Sequence, residues 1–186
     1  MAKFLDMDGL EYYTNLFKPG LSDLVNNSTK NMLEYNLETL KSINTIGTWT
    51  NNVYTHRNNG IFTINSDNTI NVDTTNAIGN CYFFLGTYNF NVNESYVLSG
   101  CPANGSATTY FIKLNDNYEV DSGTGRKFTN ISSDTVVIGV LYPNPINLTF
   151  KPMICTWNNW TISKEYIPYN KIFATDTEIY NCFQNA

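Results

Sequence analysis

Charged side chains are scarce in this chain: of its 186 residues, only 15% are Asp, Glu, Lys or Arg. The 11 basic residues are outnumbered by 16 acidic ones, which gives a formal net charge of -5. A surface that binds nucleic acid needs lysine and arginine in clusters that contact phosphates. The longest basic cluster in this sequence is Arg126-Lys127, so nucleic acid is not expected as a partner.

Long apolar runs are also absent. A helix needs about 20 apolar residues to cross a bilayer, and no stretch of the sequence approaches that length. Near the first methionine, Lys3 is followed by Asp6, Asp8 and Glu11, which leaves no room for the apolar core of a signal peptide. We therefore expect no membrane insertion, and we expect the chain to fold in a cytosol.

Histidine occurs once, and this shortage argues against catalysis. A hydrolase needs a nucleophile with a nearby base, or a pair of carboxylates. His56 lies in a polar stretch, where a solvated turn residue is the simpler interpretation. Asp67, Asp73 and Asp116 match no calcium-loop pattern and fit ordinary turns better. The sequence therefore predicts no enzyme, no catalytic residue, no metal site and no cofactor.

The four cysteines are widely and irregularly spaced, at Cys81, Cys101, Cys155 and Cys182. No C-x-x-C pair is present, so a zinc site is not indicated. Disulfides are rare in a cytosol. We expect four thiols, of which three pack as small hydrophobic side chains in or beside strands.

Residues 1–45 have the spacing of helices, with apolar residues that recur mostly three or four positions apart. Leu33, Leu37 and Leu40 would form a short stripe on one face of a helix. One interpretation is a helix that packs on the rest of the protein, and the other is an anchor or oligomerisation stalk. We favour the stalk, because one helix cannot bury such a stripe alone.

From residue 60 the pattern changes to the period of two that is typical of half-buried strands. Two alternating runs, 61–64 and 69–72, flank a turn cluster and predict a hairpin. Further strands are predicted at 81–85, 95–99, 108–114, 118–121, 127–129, 135–142 and 147–155. Short strands with this spacing indicate a sandwich or barrel.

The alternation also predicts which side chains are buried: Phe62, Ile64, Leu98, Ile138, Val140 and Phe150. Pro152 cannot donate to a central ladder, so its strand should lie at a sheet edge or carry a bulge. We assign residues 46–59 to a linker, 60–170 to the β domain and 171–186 to a C-terminal tail.

Four runs of sequence resemble, in order, parts of a jelly-roll module that is widespread in phages and prophages of Firmicutes. Residues 60–72 are similar to its opening hairpin, and residues 96–106 to its central strand and loop. Residues 147–155 and 166–169 are similar to its closing strand and exit. The loop at 73–79 departs from the module's pattern, which puts a ligand site built from that loop in doubt.

The resemblance implies a mainly β protein, an antiparallel two-sheet jelly roll of the carbohydrate-binding type behind an N-terminal helical stalk. It further implies a virion surface protein, a head or tail fibre assembled in the host cytoplasm. Such a protein would contact other virion proteins through its N-terminal segment, form a homotrimer and adhere to surface glycans. The alternatives are a capsid decoration or tail protein without a ligand, and a glycan depolymerase.

Aromatic side chains are the candidates for a glycan contact. Trp157 lies in a predicted loop, and Tyr110 and Tyr118 lie on predicted strands. Trp160 occupies a position that looks structural in similar modules. Because the sequence shows no basic pocket that could hold a polyanion, we expect any ligand to be an uncharged or weakly charged glycan.

Overall fold

The computed structural model describes residues 31–162 and 164–166. Antiparallel strands dominate this part of the chain, as the sequence predicts. The strands, in chain order, are β1 (Gly47–Thr50), β2 (Val53–His56), β3 (Ile61–Ile64), β4 (Ile70–Asp73), β5 (Cys81–Asn89), β6 (Ser95–Ser99), β7 (Tyr110–Leu114), β8 (Val120–Asp121), β9 (Arg126–Thr129), β10 (Ser133–Val140), β11 (Asn147–Phe150) and β12 (Met153–Thr156). Helix α1 (Leu37–Ile43) precedes them and helix α2 (Trp157–Ile162) follows.

The strands form three hydrogen-bonded sheets rather than two. The five-stranded sheet has the order β1-β2-β3-β4-β11, the four-stranded sheet β5-β10-β7-β8, and the three-stranded sheet β12-β6-β9. All of the strand pairs are antiparallel. The alternation of the sequence identifies strands and their buried faces, but it does not specify which strands are neighbours.

The predicted hairpin is present as β3 and β4, which pair Phe62 with Val72 and Ile64 with Ile70. Asp67 stabilises the turn, because one of its carboxylate oxygens accepts hydrogen bonds from both the backbone N–H and the hydroxyl of Thr69. Those bonds, the side-chain bond first, lower the pKa of Asp67. Local turn chemistry and alternation thus agree in this segment, which is why the sequence identifies it.

All three sheets contribute side chains to one hydrophobic core. The rings of Phe62 from the five-stranded sheet and Phe83 from the four-stranded sheet stack with their centroids 4.9 Å apart. Five of the six side chains that the sequence predicts to be buried are buried: Phe62, Leu98, Ile138, Val140 and Phe150. The sixth, Ile64, is partly buried. Burial of one such side chain contributes about 1.5–3 kcal/mol to stability.

Strand β6 lies between two apolar layers. Tyr96 and Leu98 belong to the main core, whereas Val97 packs in a second cluster with Met153 and Cys155. Trp160 and Tyr166 pack against this second cluster. The three-stranded sheet is therefore covered on both faces, and its outer cover comes from α2 and the residues that follow it.

The predicted strand 147–155 is divided at Lys151 and Pro152 into β11 and β12. β11 lies at an edge of the five-stranded sheet, and β12 lies at an edge of the three-stranded sheet. Proline has no N–H to donate, so a ladder cannot continue through it, and the chain passes here from one sheet to another. The prediction that this proline marks a sheet edge is confirmed.

The prediction of a linker at 46–59 is wrong. β1 and β2 form a hairpin that extends the five-stranded sheet beyond β3. Tyr54 on β2 is fully buried and contacts the rings of Phe62 and Phe83. β1 has one large hydrophobic side chain, Trp49, among its four residues, so alternation gives no clear signal there.

The stalk interpretation is wrong for residues 31–45. Residues 31–36 are not helical, and the Asn31 side chain joins them to β12 by donating to the Pro152 carbonyl and accepting from the Ile154 N–H. Beyond α1, the Asn44 side chain donates to the Phe84 carbonyl and accepts from the Phe84 N–H. The segment therefore packs on the β domain, which is the alternative interpretation.

The predicted oligomerisation stripe is also wrong in its physical basis. Leu33 and Leu40 are fully buried in the core of a single chain, and Leu37 is partly buried. Two of the three side chains are thus unavailable to a second copy. The predictions for residues 1–30 and 171–186 lie outside the described residues. Within the part that is described, neither helix is long and apolar enough to cross a bilayer.

Candidate binding cleft

A cleft of about 620 Å³ opens beside the three-stranded sheet. Four parts of the chain line it: residues 99–102 at the end of β6, residues 123–125 between β8 and β9, the passage from β11 to β12, and α2 with the described residues that follow it. We call residues 99–102 the Gly100 loop and residues 123–125 the Gly125 loop. The lining residues are Ser99, Gly100, Cys101, Pro102, Gly123, Thr124, Gly125, Thr149, Lys151, Met153, Trp160, Lys164 and Tyr166.

The close approach of these segments requires glycine at two positions. Gly100 has a φ of 104°, and a Cβ atom there would lie 1.8 Å from the Lys151 carbonyl oxygen. Gly125 has a φ of 84°, and its Cβ would lie 2.7 Å from the Trp160 ring. Residues with side chains rarely adopt these backbone angles. The backbone of both loops therefore packs directly against neighbouring segments, the Gly100 loop against Lys151 and the Gly125 loop against Trp160.

A buried carboxylate holds the two loops together. Asp121 is only 1% exposed. One of its oxygens accepts hydrogen bonds from the N–H groups of Gly123 and Gly125, and the other accepts from the N–H of Cys101. Charged acceptors make the stronger hydrogen bonds, so Asp121 fixes the position of one loop relative to the other.

Two aromatic side chains line the cleft. Trp160 packs on the outer cluster of the three-stranded sheet, with its ring against Gly125. Tyr166 donates from its hydroxyl to the Asp67 carbonyl at 3.2 Å. Burial raises the pKa of Tyr166, so its hydroxyl stays protonated at neutral pH. The cleft thus combines aromatic surface with exposed hydroxyls from Thr124 and Thr149, a combination that is typical of pockets for small polar ligands.

The charged side chains that line the cleft are both positive. Lys151 and Lys164 are exposed, and Lys164 Nζ lies 6.0 Å from the centroid of the Trp160 ring. None of the described lining residues is Asp or Glu. The expectation of a surface without a basic pocket was therefore wrong, because folding brings together two lysines that are well separated in sequence.

A smaller recess of about 260 Å³ lies between residues 74–79 and the loop after β10. Thr74, Thr75, Tyr142 and Asn144 contribute its polar groups. Its loop 74–79 belongs to the stretch that departs from the jelly-roll pattern. It has neither the lysines nor the tryptophan of the larger cleft.

Trp157 begins α2 rather than lying in a loop. Its side chain is 37% exposed, and Lys127 Nζ lies 4.3 Å from the ring centroid. This is a cation–π contact, so the chain's own lysine covers the ring. Trp157 lines neither the cleft nor the smaller recess.

The two candidate tyrosines have different surroundings. Tyr110 on β7 is partly buried, and its hydroxyl donates to the Ala103 carbonyl at 2.6 Å. Tyr118 lies in the turn between β7 and β8 rather than on a strand, is 74% exposed and has a φ of 57°. Neither lines the cleft, and the neighbours of Trp157, Tyr110 and Tyr118 differ. The structure therefore does not bring the three predicted contacts into one site.

The interpretation of His56 as a solvated turn residue is wrong, since it lies on β2 and is only 2% exposed. Its Nδ1 accepts from the Asn58 N–H at 3.1 Å. Asp134 is likewise buried and accepts from the backbone N–H groups of Asp116, Asn117 and Thr135. Burial raises the pKa of Asp134, but these bonds outweigh it and leave the pKa lowered.

Other polar groups also serve local structure. Asp73 accepts from both the N–H and the hydroxyl of Thr75, as Asp67 does from Thr69. Among the residues that the structure describes, no group of three or more His, Cys, Asp or Glu side chains could hold a metal ion. The three described cysteines are buried in or beside strands, as predicted.

Comparisons of the chain with protein-family models, with curated proteins and with solved structures gave no match.

Proposed function

We propose that this chain is a non-enzymatic structural protein of a bacteriophage surface, part of a head or tail fibre, and that its β body binds glycans in the cleft. The observation that carries the binding function is the lining of the cleft by Trp160, Tyr166 and exposed hydroxyls. Aromatic rings stack on the C–H faces of sugars, and side-chain hydroxyls bind sugar hydroxyls. Asp121 holds the loops in place before any ligand arrives, which lowers the entropic cost of binding.

The assignment to a virion rests on the resemblance to the phage module. Three of the resembling runs lie wholly within the described residues. Residues 60–72 contain β3 and most of β4, residues 96–106 contain most of β6 and the loop after it, and residues 147–155 contain β11 and most of β12. Contact with other virion proteins through the N-terminal segment and assembly as a homotrimer belong to the same proposal. The proposal of a trimer is supported by the resemblance alone, since Leu33 and Leu40 are buried within one chain.

A jelly roll would arrange the three observed sheets in two layers. The five-stranded sheet would form one layer, and the four- and three-stranded sheets together would form the other. The shared core supports this arrangement, because side chains from all three sheets pack in one cluster. The passage of the chain from β11 in one layer to β12 in the other is consistent with it.

Binding of the full chain to a broad panel of cell-surface glycans tests the function. We expect wild-type protein to bind, and Thr124→Val with Thr149→Val to weaken binding roughly five- to a hundredfold, since each of the two hydrogen bonds is worth about 0.5–1.5 kcal/mol. Thr48→Val with Thr50→Val is the matched control, because both threonines are exposed on β1 and lie outside the cleft.

Three other outcomes would contradict the proposal. If wild-type protein binds no glycan in the panel, a decoration or tail protein without a ligand is favoured. If both threonine pairs affect binding equally, the cleft is not the site. If the protein releases new reducing ends from a bound polysaccharide, the chain is a depolymerase.

A further inference from the structure

We infer that the cleft selects acidic glycans, and that Lys151 and Lys164 hold an anionic substituent of the sugar chain beside the Trp160 ring. This inference rests on the proposed glycan binding and adds the charge class of the ligand. It replaces the uncharged glycan that the sequence alone suggests.

The charge of the cleft is opposite to that of the chain. The whole chain carries a formal net charge of -5, yet the charged residues among the described lining of the cleft are two lysines. The carboxylate beneath the cleft, Asp121, is 1% exposed and accepts three backbone hydrogen bonds. It therefore supports the loops without presenting an acceptor to the ligand.

Neither lysine is neutralised by a carboxylate of the described chain. Among the described residues, one ion pair has its nitrogen and oxygen atoms within 4.0 Å of each other, and it joins Arg126 to Glu119. Asp67 is close enough to Lys151 for that lysine to contribute to its lowered pKa, after the larger effect of the Thr69 hydrogen bonds. However, its carboxylate is committed to Thr69 and does not line the cleft. Within the part of the chain that the structure describes, both ammonium groups are therefore available to an anion.

The position of the charges relative to the aromatic ring favours a charged sugar over a simple anion. Lys164 Nζ lies 6.0 Å from the Trp160 ring centroid, and Trp160 and Lys164 line the same cleft. Because Lys164 lies over a ring that is only partly exposed, a sugar that contacts the open part of the ring would have its substituents near this ammonium group. A carboxylate of a uronic acid and a phosphate on a sugar hydroxyl are the two chemical sources of such a negative group.

Equilibrium binding of the full chain to four probes tests the inference. The probes are an oligogalacturonate, which carries carboxylates, a phosphorylated mannan oligosaccharide, the neutral maltoheptaose, and inorganic polyphosphate, which carries charge but no sugar. We expect wild-type protein to bind at least one acidic glycan roughly tenfold more tightly than maltoheptaose, and to lose that preference as salt screens the charges.

Lys151→Gln with Lys164→Gln is the diagnostic variant. Both side chains are exposed, so the substitutions leave the core intact, and thermal unfolding checks this. We expect it to weaken binding of the acidic glycan by roughly five- to tenfold while binding of maltoheptaose stays unchanged. Lys41→Gln with Lys113→Gln removes the same charge outside the cleft and should leave both affinities near wild type.

The outcomes separate the inference from the proposed function. If wild-type protein binds maltoheptaose as tightly as the acidic glycans, the inference is overturned and glycan binding stands. If it binds no saccharide probe, and no glycan of the broader panel, both fail. If polyphosphate binds as tightly as the acidic glycans and both lysine pairs weaken it equally, the attraction is only that of exposed charge, and the inference is overturned.

Discussion

Two polar atoms in the core, the hydroxyl of Tyr54 and Nε2 of His56, have no hydrogen-bond partner within the described chain. An unsatisfied buried polar group costs about 1–3 kcal/mol. A charge there would cost more, and burial, assisted by the nearby charge of Arg57, lowers the pKa of His56. The side chain is therefore neutral in the folded protein at pH values at which an unfolded chain would protonate it.

The first prediction is that stability falls as the pH decreases from about 6.5. Above that pH, His56 is neutral in both states and contributes no pH dependence. Below it, the unfolded chain binds a proton that the folded chain does not, so the free energy of unfolding decreases until the pH reaches the lowered folded pKa. One proton gives a slope of at most about 1.36 kcal/mol per pH unit.

Urea unfolding at several pH values between 7.5 and 5.5 measures this slope. Because the chain has one histidine, His56→Gln should remove the slope, whatever it does to the stability at pH 7.5. A slope that persists unchanged in the variant would assign it to another group.

The second prediction concerns Asp121, whose two oxygens accept three backbone hydrogen bonds. Asp121→Asn directs an amide group at an N–H donor whichever way the side chain is turned. We expect the free energy of unfolding to fall by about 1.5–3 kcal/mol, the range for hydrogen bonds to a charged group, and glycan binding in the cleft to weaken. Urea unfolding and glycan binding measure the two effects.

Asp116→Asn is the control, because Asp116 is exposed in its turn and makes no such network. Equal stability of the two variants would show that Asp121 does not hold the loops.

At the scale of elements, the sequence identifies a segment where several local signals agree. The hairpin β3–β4 combines alternation with turn residues, and it is predicted almost to the residue. β1 has four residues and one large side chain, the partly buried Trp49, and the sequence does not predict this strand. Leu33 and Leu40 have helical spacing, but spacing is the same whether a stripe faces its own core or another copy, so the stalk interpretation fails.

The cleft could not be predicted because its residues meet only after folding. Lys151 reaches the Gly100 loop at the break beside Pro152, and Trp160 reaches the Gly125 loop from α2. One signal was present in the sequence: Gly123 and Gly125 follow Asp121 in the run DSGTG. Closely spaced glycines indicate unusual backbone angles and close approach, and both residues have positive φ.

The third prediction is that residues 31–45 are part of the folding unit. Removal of residues 1–30 keeps the described contacts of Asn31, Leu33 and Leu40, whereas removal of residues 1–45 deletes two fully buried leucines. Loss of one buried leucine typically costs about 2–5 kcal/mol. We therefore expect the shorter chain to unfold at much lower urea concentration, or not to fold at all.

Circular dichroism during urea titration compares the two truncated chains. Equal midpoints would show that the N-terminal segment is an appendage after all, and would restore the stalk interpretation for residues 31–45.

At the scale of the whole molecule, the core is shared by all three sheets, while Val97, Met153 and Cys155 form a separate small cluster. The reactivity of the buried thiols therefore measures the exposure of both clusters. Cys81 and Cys101 belong to the main core, and Cys155 belongs to the small cluster. Burial raises the pKa of the Cys81 thiol, and burial with the nearby Asp121 raises that of Cys101 to about 12. Only the thiolate reacts, so native Cys81 and Cys101 are protected by both inaccessibility and protonation.

The last prediction is that the three thiols become reactive together. If the domain unfolds as one cooperative unit, pulses of N-ethylmaleimide at increasing urea concentration should label Cys81, Cys101 and Cys155 with a single midpoint, and that midpoint should match the one from circular dichroism. Mass spectrometry of peptides assigns each site, and Cys182→Ser removes the thiol that lies outside the described residues. Labelling of Cys155 at lower urea than Cys81 would show that the cover formed by α2 and Tyr166 opens by itself. Because Trp160 and Tyr166 line the cleft, such opening would make one wall of the glycan site its least stable part, and a bound glycan should then shift the Cys155 midpoint more than the Cys81 midpoint.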